Sequence, residues 1–85
     1  MIIKASSKFE KEYRRLPDTI KKKAKEKEVI FRENSFDRRL KTHKLSGKDK
    51  ECWAFWVNRS YRIKFIFISN DDVLFLEIGP HKIYK

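Results

Sequence analysis

Arg59-Ser-Tyr-Arg-Ile-Lys-Phe-Ile-Phe-Ile-Ser-Asn-Asp-Asp-Val-Leu-Phe-Leu-Glu-Ile-Gly-Pro-His-Lys-Ile-Tyr84 is the stretch on which the fold turns. Tyr61, Ile63, Phe65 and Phe67 alternate with Arg62, Lys64, Ile66 and Ile68, the period of a strand with two different faces. Ser69-Asn70-Asp71-Asp72 supplies turn chemistry, and Val73 to Ile78 reads as the returning strand, ended by Gly79-Pro80. The hairpin carries two cations, Arg62 and Lys64, on one face. Just past its end it presents His81 and Tyr84.

Upstream, Glu51 to Asn58 reads as a further strand, with Trp53, Phe55 and Val57 on one side and Cys52, Ala54 and Trp56 on the other. Phe36 to Lys50 is a basic connection with Leu40 and Leu45 as anchors and Ser46-Gly47 as its turn. Met1 to Ala5 reads as an opening strand. Ser7 and Glu10 have the spacing of a capping box, and Phe9, Tyr13 and Leu16 then mark one face of a short helix. Pro17 breaks that helix and suits the start of a second, with Asp18 at its positive end. Ile20, Ala24, Val29, Ile30 and Phe31 form an apolar stripe along a Lys/Glu-rich helix ending near Asn34-Ser35. The order is β-α-α-β-β-β. The expected fold is α+β: a small antiparallel sheet with an N-terminal αα-hairpin packed on one face.

The 85 residues suffice for one domain, residues 1–85, with a single core. The chain is 40% hydrophobic and 40% charged with only two Gly and two Pro, and its periodic apolar residues argue against disorder. Its net charge of +10 is unevenly placed: residues 1–50 hold 17 Lys/Arg against 8 Asp/Glu, residues 51–85 hold 5 against 4. The first half therefore carries a positive field suited to a polyanion or an acidic protein. One cysteine, Cys52, forms no internal disulfide and fits a buried thiol in a reducing cytoplasm. No signal segment or membrane-length apolar run is present in the sequence. No His/Cys set has zinc spacing, and two glycines do not make a phosphate loop, so neither metal nor cofactor is expected.

Leu40-Lys-Thr-His-Lys-Leu-Ser-Gly47, Trp53-Ala-Phe-Trp-Val57, Tyr61-Arg-Ile63 and Ile78-Gly-Pro-His-Lys-Ile-Tyr84, in that order, give the chain a resemblance to the RelE/ParE superfamily of bacterial toxins over essentially its whole length. It looks most like the ribosome-dependent mRNA endonucleases related to YafQ and HigB. The resemblance implies a cytoplasmic toxin that cleaves mRNA on the ribosome without a metal, the 2′-OH attacking the adjacent phosphate. It also implies a cognate antitoxin as partner, in a toxin–antitoxin hetero-oligomer.

That chemistry needs a base for the 2′-OH, cations for the charge on phosphorus and an acid for the leaving oxygen. Arg62 fits the second, since its planar fork matches phosphate oxygens and keeps its charge; a sheet-face ion pair with Glu77 is its structural alternative. His81 matches the histidine of the family's terminal Gly-x-His pattern and is the acid or base. Tyr84 matches a terminal aromatic that stacks on a base or assists proton transfer, or else it anchors the tail. His43, flanked by Lys41 and Lys44, matches the histidine after the basic connection and is a second base candidate. Lys41, Lys44, Lys48 and Lys64 are candidate contacts to the RNA backbone. Trp56 stands where YafQ-like toxins place another histidine, and Ser60 near their catalytic aspartate. Two other readings remain open: a ParE-like inhibitor that binds DNA gyrase and cuts no RNA, and a plain RNA-binding module whose Trp53, Trp56 and Tyr61 stack bases.

Overall fold

The computed structural model describes residues 1–81. Its strands are β1 (Ile2–Ala5), β2 (His43–Lys44), β3 (Trp53–Trp56), β4 (Tyr61–Phe67) and β5 (Asp72–Pro80); its helices are α1 (Ser7–Arg14) and α2 (Asp18–Glu33). The strands form one sheet in the order β1-β5-β4-β3-β2. The α+β architecture with an αα-hairpin on one face is as the sequence implied. Two details differ. The sheet is mixed, because β1 runs parallel to β5, and the basic connection contributes the extra two-residue strand β2. Neither is local information: both depend on which distant strand supplies the hydrogen bonds.

The helix layer and one sheet face share a core of Phe9, Ala24, Phe31, Leu40, Phe55, Val57, Ile63, Phe65, Val73, Phe75 and Ile78. Phe31 is its centre, stacked on Phe55 at 4.9 Å and edge-on to Phe65 at 5.0 Å and Phe75 at 5.5 Å. Val29, expected on the apolar stripe, is exposed instead, since Phe31 and Ala24 already set the buried face of α2. Leu45 and Cys52 are half-buried rather than enclosed, and burial pushes the Cys52 thiol upward, which keeps it protonated. Among the described residues no helix is long and apolar enough to cross a membrane.

The start of α1 corrects the expected cap and explains the shape of β5. Ser6, not Ser7, is the N-cap: its hydroxyl accepts from the Phe9 N–H at 3.0 Å and donates to the Leu76 carbonyl at 2.9 Å. Leu76 is the extra residue of a bulge, for Phe65 pairs with Phe75 while Lys64 pairs with Glu77. Two residues after Leu76 the Ile78 N–H donates to the Glu12 carboxylate at 3.0 Å. Ser6 and α1 thus satisfy backbone groups of β5 that face away from β4. Beyond the bulge the strand takes in Gly79 and Pro80 and ends there, rather than stopping at Ile78, with Arg62 opposite Gly79 and Tyr61 opposite Pro80. The His81 N–H donates to the Ser60 carbonyl at 2.7 Å, so Pro80 falls in a non-hydrogen-bonded pair and its missing N–H costs no bond to β4.

Candidate functional site

The face of the sheet away from the helices is built from alternate residues of β3, β4 and β5. Register sets two neighbouring rows: Trp56, Arg62 and Gly79 in one, and Ala54, Lys64 and Glu77 in the other, the latter extended by His43 opposite Ala54. Both hairpin cations expected to share a face do so.

Arg62 is 3% exposed. Its Nη1 donates to the carbonyls of Asn58 and Arg59 at 2.8 Å each and of Tyr61 at 3.3 Å, and its guanidinium lies 3.9 Å from the centre of the Trp56 ring. Its Nε is buried without a partner, and among the described residues Nη2 makes no hydrogen bond. No carboxylate pairs with it among these residues. The expected structural alternative, a pair with Glu77, is not what forms. Desolvation lowers the Arg62 pKa, yet a guanidinium stays charged in proteins, so a cation is held in place with donor capacity left over. Gly79 in the same row means that β5 adds no side chain beside it. The row thus holds a charged guanidinium whose contacts among the described residues are backbone carbonyls and an indole.

The loop that grips Arg62 was not legible as part of a site. The Asn58 side-chain oxygen accepts from the Ser60 and Tyr61 N–H groups, each at 2.8 Å, folding residues 58–61 so that two carbonyls converge on the guanidinium. The signal available for it is Asn58 itself, two residues after the end of β3. Trp56 is the other. Lys41 places its Nζ 5.0 Å from the Trp56 ring centre, so the indole gathers two cations. Lys41 holds φ +53°, an unusual conformation for a non-glycine residue, and its carbonyl lies 2.9 Å from Nδ1 of His43. In the neutral ring this bond puts the proton on Nδ1 and leaves Nε2 as the open base.

The second row is differently occupied. Lys64, a candidate RNA contact, has its Nζ 2.5 Å from Glu77 and 3.5 Å from Asp49, and Glu77 also holds Lys8 at 2.8 Å. Burial works to lower the Lys64 pKa, but its bonds to Glu77 outweigh that and raise it. Burial likewise works to raise Glu77, and Lys64 and Lys8 together bring it below its usual value. A depressed carboxylate stabilises the fold fully above its unfolded pKa, near 4.5, and loses that contribution as pH falls through the lower folded value. Glu77→Gln should therefore cost about 1–3 kcal/mol at pH 7. The gap between parent and variant should narrow below pH 4.5 in urea titrations; a gap constant from pH 7 to pH 3 would refute the assignment.

The remaining candidates are spread along the rim. His81 is exposed and fixed through its backbone to Ser60, at the end of the hairpin where residues 58–61 grip Arg62. Lys44 lies with Trp53 on the helix side, its Nζ 5.9 Å from that ring, and Lys48 is exposed on the turn after Gly47, itself at φ +71°. The structure therefore brings Arg62, Trp56, Lys41 and His43 into one chain of contacts and puts His81 beside the Arg62 loop. Tyr84 lies outside the described residues. Among the described residues no cluster of His, Cys, Asp or Glu is suited to hold a metal.

No family model and no curated protein sequence matches the chain. Solved structures do. A YoeB/ParE toxin from Agrobacterium tumefaciens aligns at a TM-score of 0.79 and 14% identity, covering 95% of this chain and 99% of that one. The Escherichia coli DinJ–YafQ toxin–antitoxin complex gives 0.75 at 19% identity over 95% and 92%. The archaeal RelE–RelB complex from Pyrococcus horikoshii gives 0.73 at 18% identity over 93% and 92%. The chain has the RelE/ParE toxin fold.

Proposed function

We propose that this chain is the toxin of a type II toxin–antitoxin pair and an endoribonuclease that cleaves mRNA on the ribosome. The observation that carries the reading is Arg62, a buried cation on the sheet face away from the helices, whose Nε has no partner and which pairs with no carboxylate among the described residues. In the proposed reaction a histidine takes the proton of a 2′-OH, and O2′ attacks the adjacent phosphorus. The P–O5′ bond breaks to leave a 2′,3′-cyclic phosphate, and an acid protonates O5′. Arg62 stabilises the charge on the phosphoryl oxygens. In this reading His43, whose Nδ1 is engaged by the Lys41 carbonyl, acts as the base and His81 as the acid. Lys41, Lys44 and Lys48 supply phosphate contacts. Lys64 would do so only by exchanging Glu77 and Asp49 for RNA.

The net charge of +10 supports an acidic antitoxin as partner, and the relatives solved as DinJ–YafQ and RelE–RelB complexes support the same assembly. The test is a map of mRNA 5′ ends after induced expression. Codon-phased cuts that disappear when translation is blocked are expected. Growth arrest without new 5′ ends, together with gyrase subunits bound to the protein, would select the inhibitor reading instead. In single-turnover cleavage on programmed ribosomes, His81→Gln should slow the chemical step by about 10²–10⁴-fold and flatten its pH dependence. An unchanged rate in the folded variant would remove His81 from the reaction.

A further inference from the structure

We infer that Phe36, Trp53 and Phe67 form a shelf on the helix side of the sheet that stacks an unpaired base of single-stranded RNA, the message strand continuing past the outer face. The inference rests on the proposed function for the source of that strand alone. Helix α2 ends at Glu33, and the covered face of the sheet gives out beyond it. Phe65 has no exposure, whereas Phe67, two residues on along the same face, is 36% exposed and Phe36 is 55% exposed. Phe36 sits on a tied turn rather than a loose loop. Its N–H donates to the Asn34 side chain at 3.0 Å, the buried Ser35 hydroxyl donates to the Phe31 carbonyl at 3.4 Å, and the Ser35 carbonyl accepts from the Thr42 hydroxyl at 2.6 Å. Phe36 and Phe67 are stacked, 5.9 Å apart and 24° from parallel, and Trp53 stands edge-on to them at 5.4 and 5.8 Å.

Ring geometry and charge choose the occupant. Two near-parallel phenyl rings offer a third flat ring a place in the stack, and a nucleobase of any identity meets that need. Lys44 pairs with Trp53 in register and carries its Nζ 5.9 Å from that ring, a cation for the phosphate beside the base. The carboxylate nearest Phe36 in sequence, Asp37, is committed to Arg39 at 3.0 Å. A second copy of the chain fits worse. Each copy carries a net charge of +10, and parts of three rings fall far short of the roughly 1,000 Å² that a specific protein contact buries. Strand β2 puts the shelf on the path of the message. It is the edge of the sheet, and its two residues point oppositely: His43 lies opposite Ala54 in the outer face, Lys44 opposite Trp53 in the helix-side face. RNA that leaves His43 and passes over this edge meets Lys44 and then the rings.

The probe is an octamer of 2′-O-methyl adenylate. It stacks and carries phosphates but has no 2′-OH to attack phosphorus, so the result does not depend on whether the chain cleaves mRNA. The chain has two tryptophans, and Trp56→Phe leaves Trp53 as the reporter. The octamer should quench Trp53 emission and bind at least about tenfold tighter than an octamer of the same backbone without bases. Phe36→Ala, at an exposed position, should fold and bring the two affinities together, whereas Phe36→Tyr should keep them apart. Lys44→Ala should reduce the log–log salt dependence of both by about 0.7, the share of one phosphate contact, and leave the preference for bases. Equal affinity for the two octamers, an unquenched Trp53, or a folded Phe36→Ala that keeps the preference would overturn the inference. Equal quenching by a base-paired hairpin would overturn the choice of an unpaired strand. Self-association that Phe36→Ala abolishes, with no effect of RNA on Trp53, would give the shelf to a second copy instead.

Discussion

Arg62→Ala is expected to lower single-turnover cleavage of ribosome-bound mRNA by about 10²–10³-fold, the usual loss when one preorganised stabiliser of transition-state charge is removed. The expectation rests on geometry more than on charge alone. Arg62 spends its Nη1 on backbone carbonyls of residues 58–61 and its face on Trp56, and among the described residues Nε has no partner. The same bonds mean that alanine also strips donors from that loop, so melting curves must accompany the rates. Arg62→Lys separates the two effects. Lysine keeps a cation near the loop carbonyls but has no planar fork, so it should restore stability more fully than rate. Variants that fold and cleave at the parental rate would place the phosphate elsewhere. Loss of rate that tracks loss of stability across both variants would make Arg62 a structural residue.

How far the sequence led is clearest around this arginine. The alternation of residues 61–68 puts Arg62 and Lys64 together because adjacent strand residues must point oppositely, a rule that needs no tertiary information. Which partners they meet does need it. Strict alternation from Val73 would send Glu77 into the core with Phe75; the bulge at Leu76 resets the phase, so Ile78 takes the core position and Glu77 meets Lys64. Its Leu76 carbonyl bonds Ser6, 70 residues away along the chain, and the next outward N–H, of Ile78, bonds Glu12, 66 residues away, so no local pattern announces the bulge. Trp56 is a parallel case. A family pattern marks it as a missing histidine, whereas the β3–β4 register makes it the surface that Arg62 and Lys41 share. Strand β2 was hidden for a related reason: two residues in a basic loop carry no periodicity, and only pairing with Trp53 and Ala54 defines them.

Phe31→Ala should destabilise the protein by about 3–5 kcal/mol, the cost of emptying a phenyl-sized space in a close-packed core. Phe31 has no solvent exposure and contacts rings from β3, β4 and β5, so it joins the helix layer to three strands. Collapse around the gap is opposed because Phe55, Phe65 and Phe75 also pack on one another. A domain of this size has about 5–15 kcal/mol in total, so the variant should sit near its threshold, with a melting temperature lower by roughly 15–30 °C. Urea titration gives the cost directly. Phe31→Leu, which keeps most of the volume, should lose less than half as much, and a loss under 1 kcal/mol for alanine would show that the layers close over the space. The consequence for activity differs in kind from that of Arg62. Lowering the temperature should return cleavage to Phe31→Ala, because its outer face is intact whenever the chain is folded, whereas no temperature should return it to Arg62→Ala.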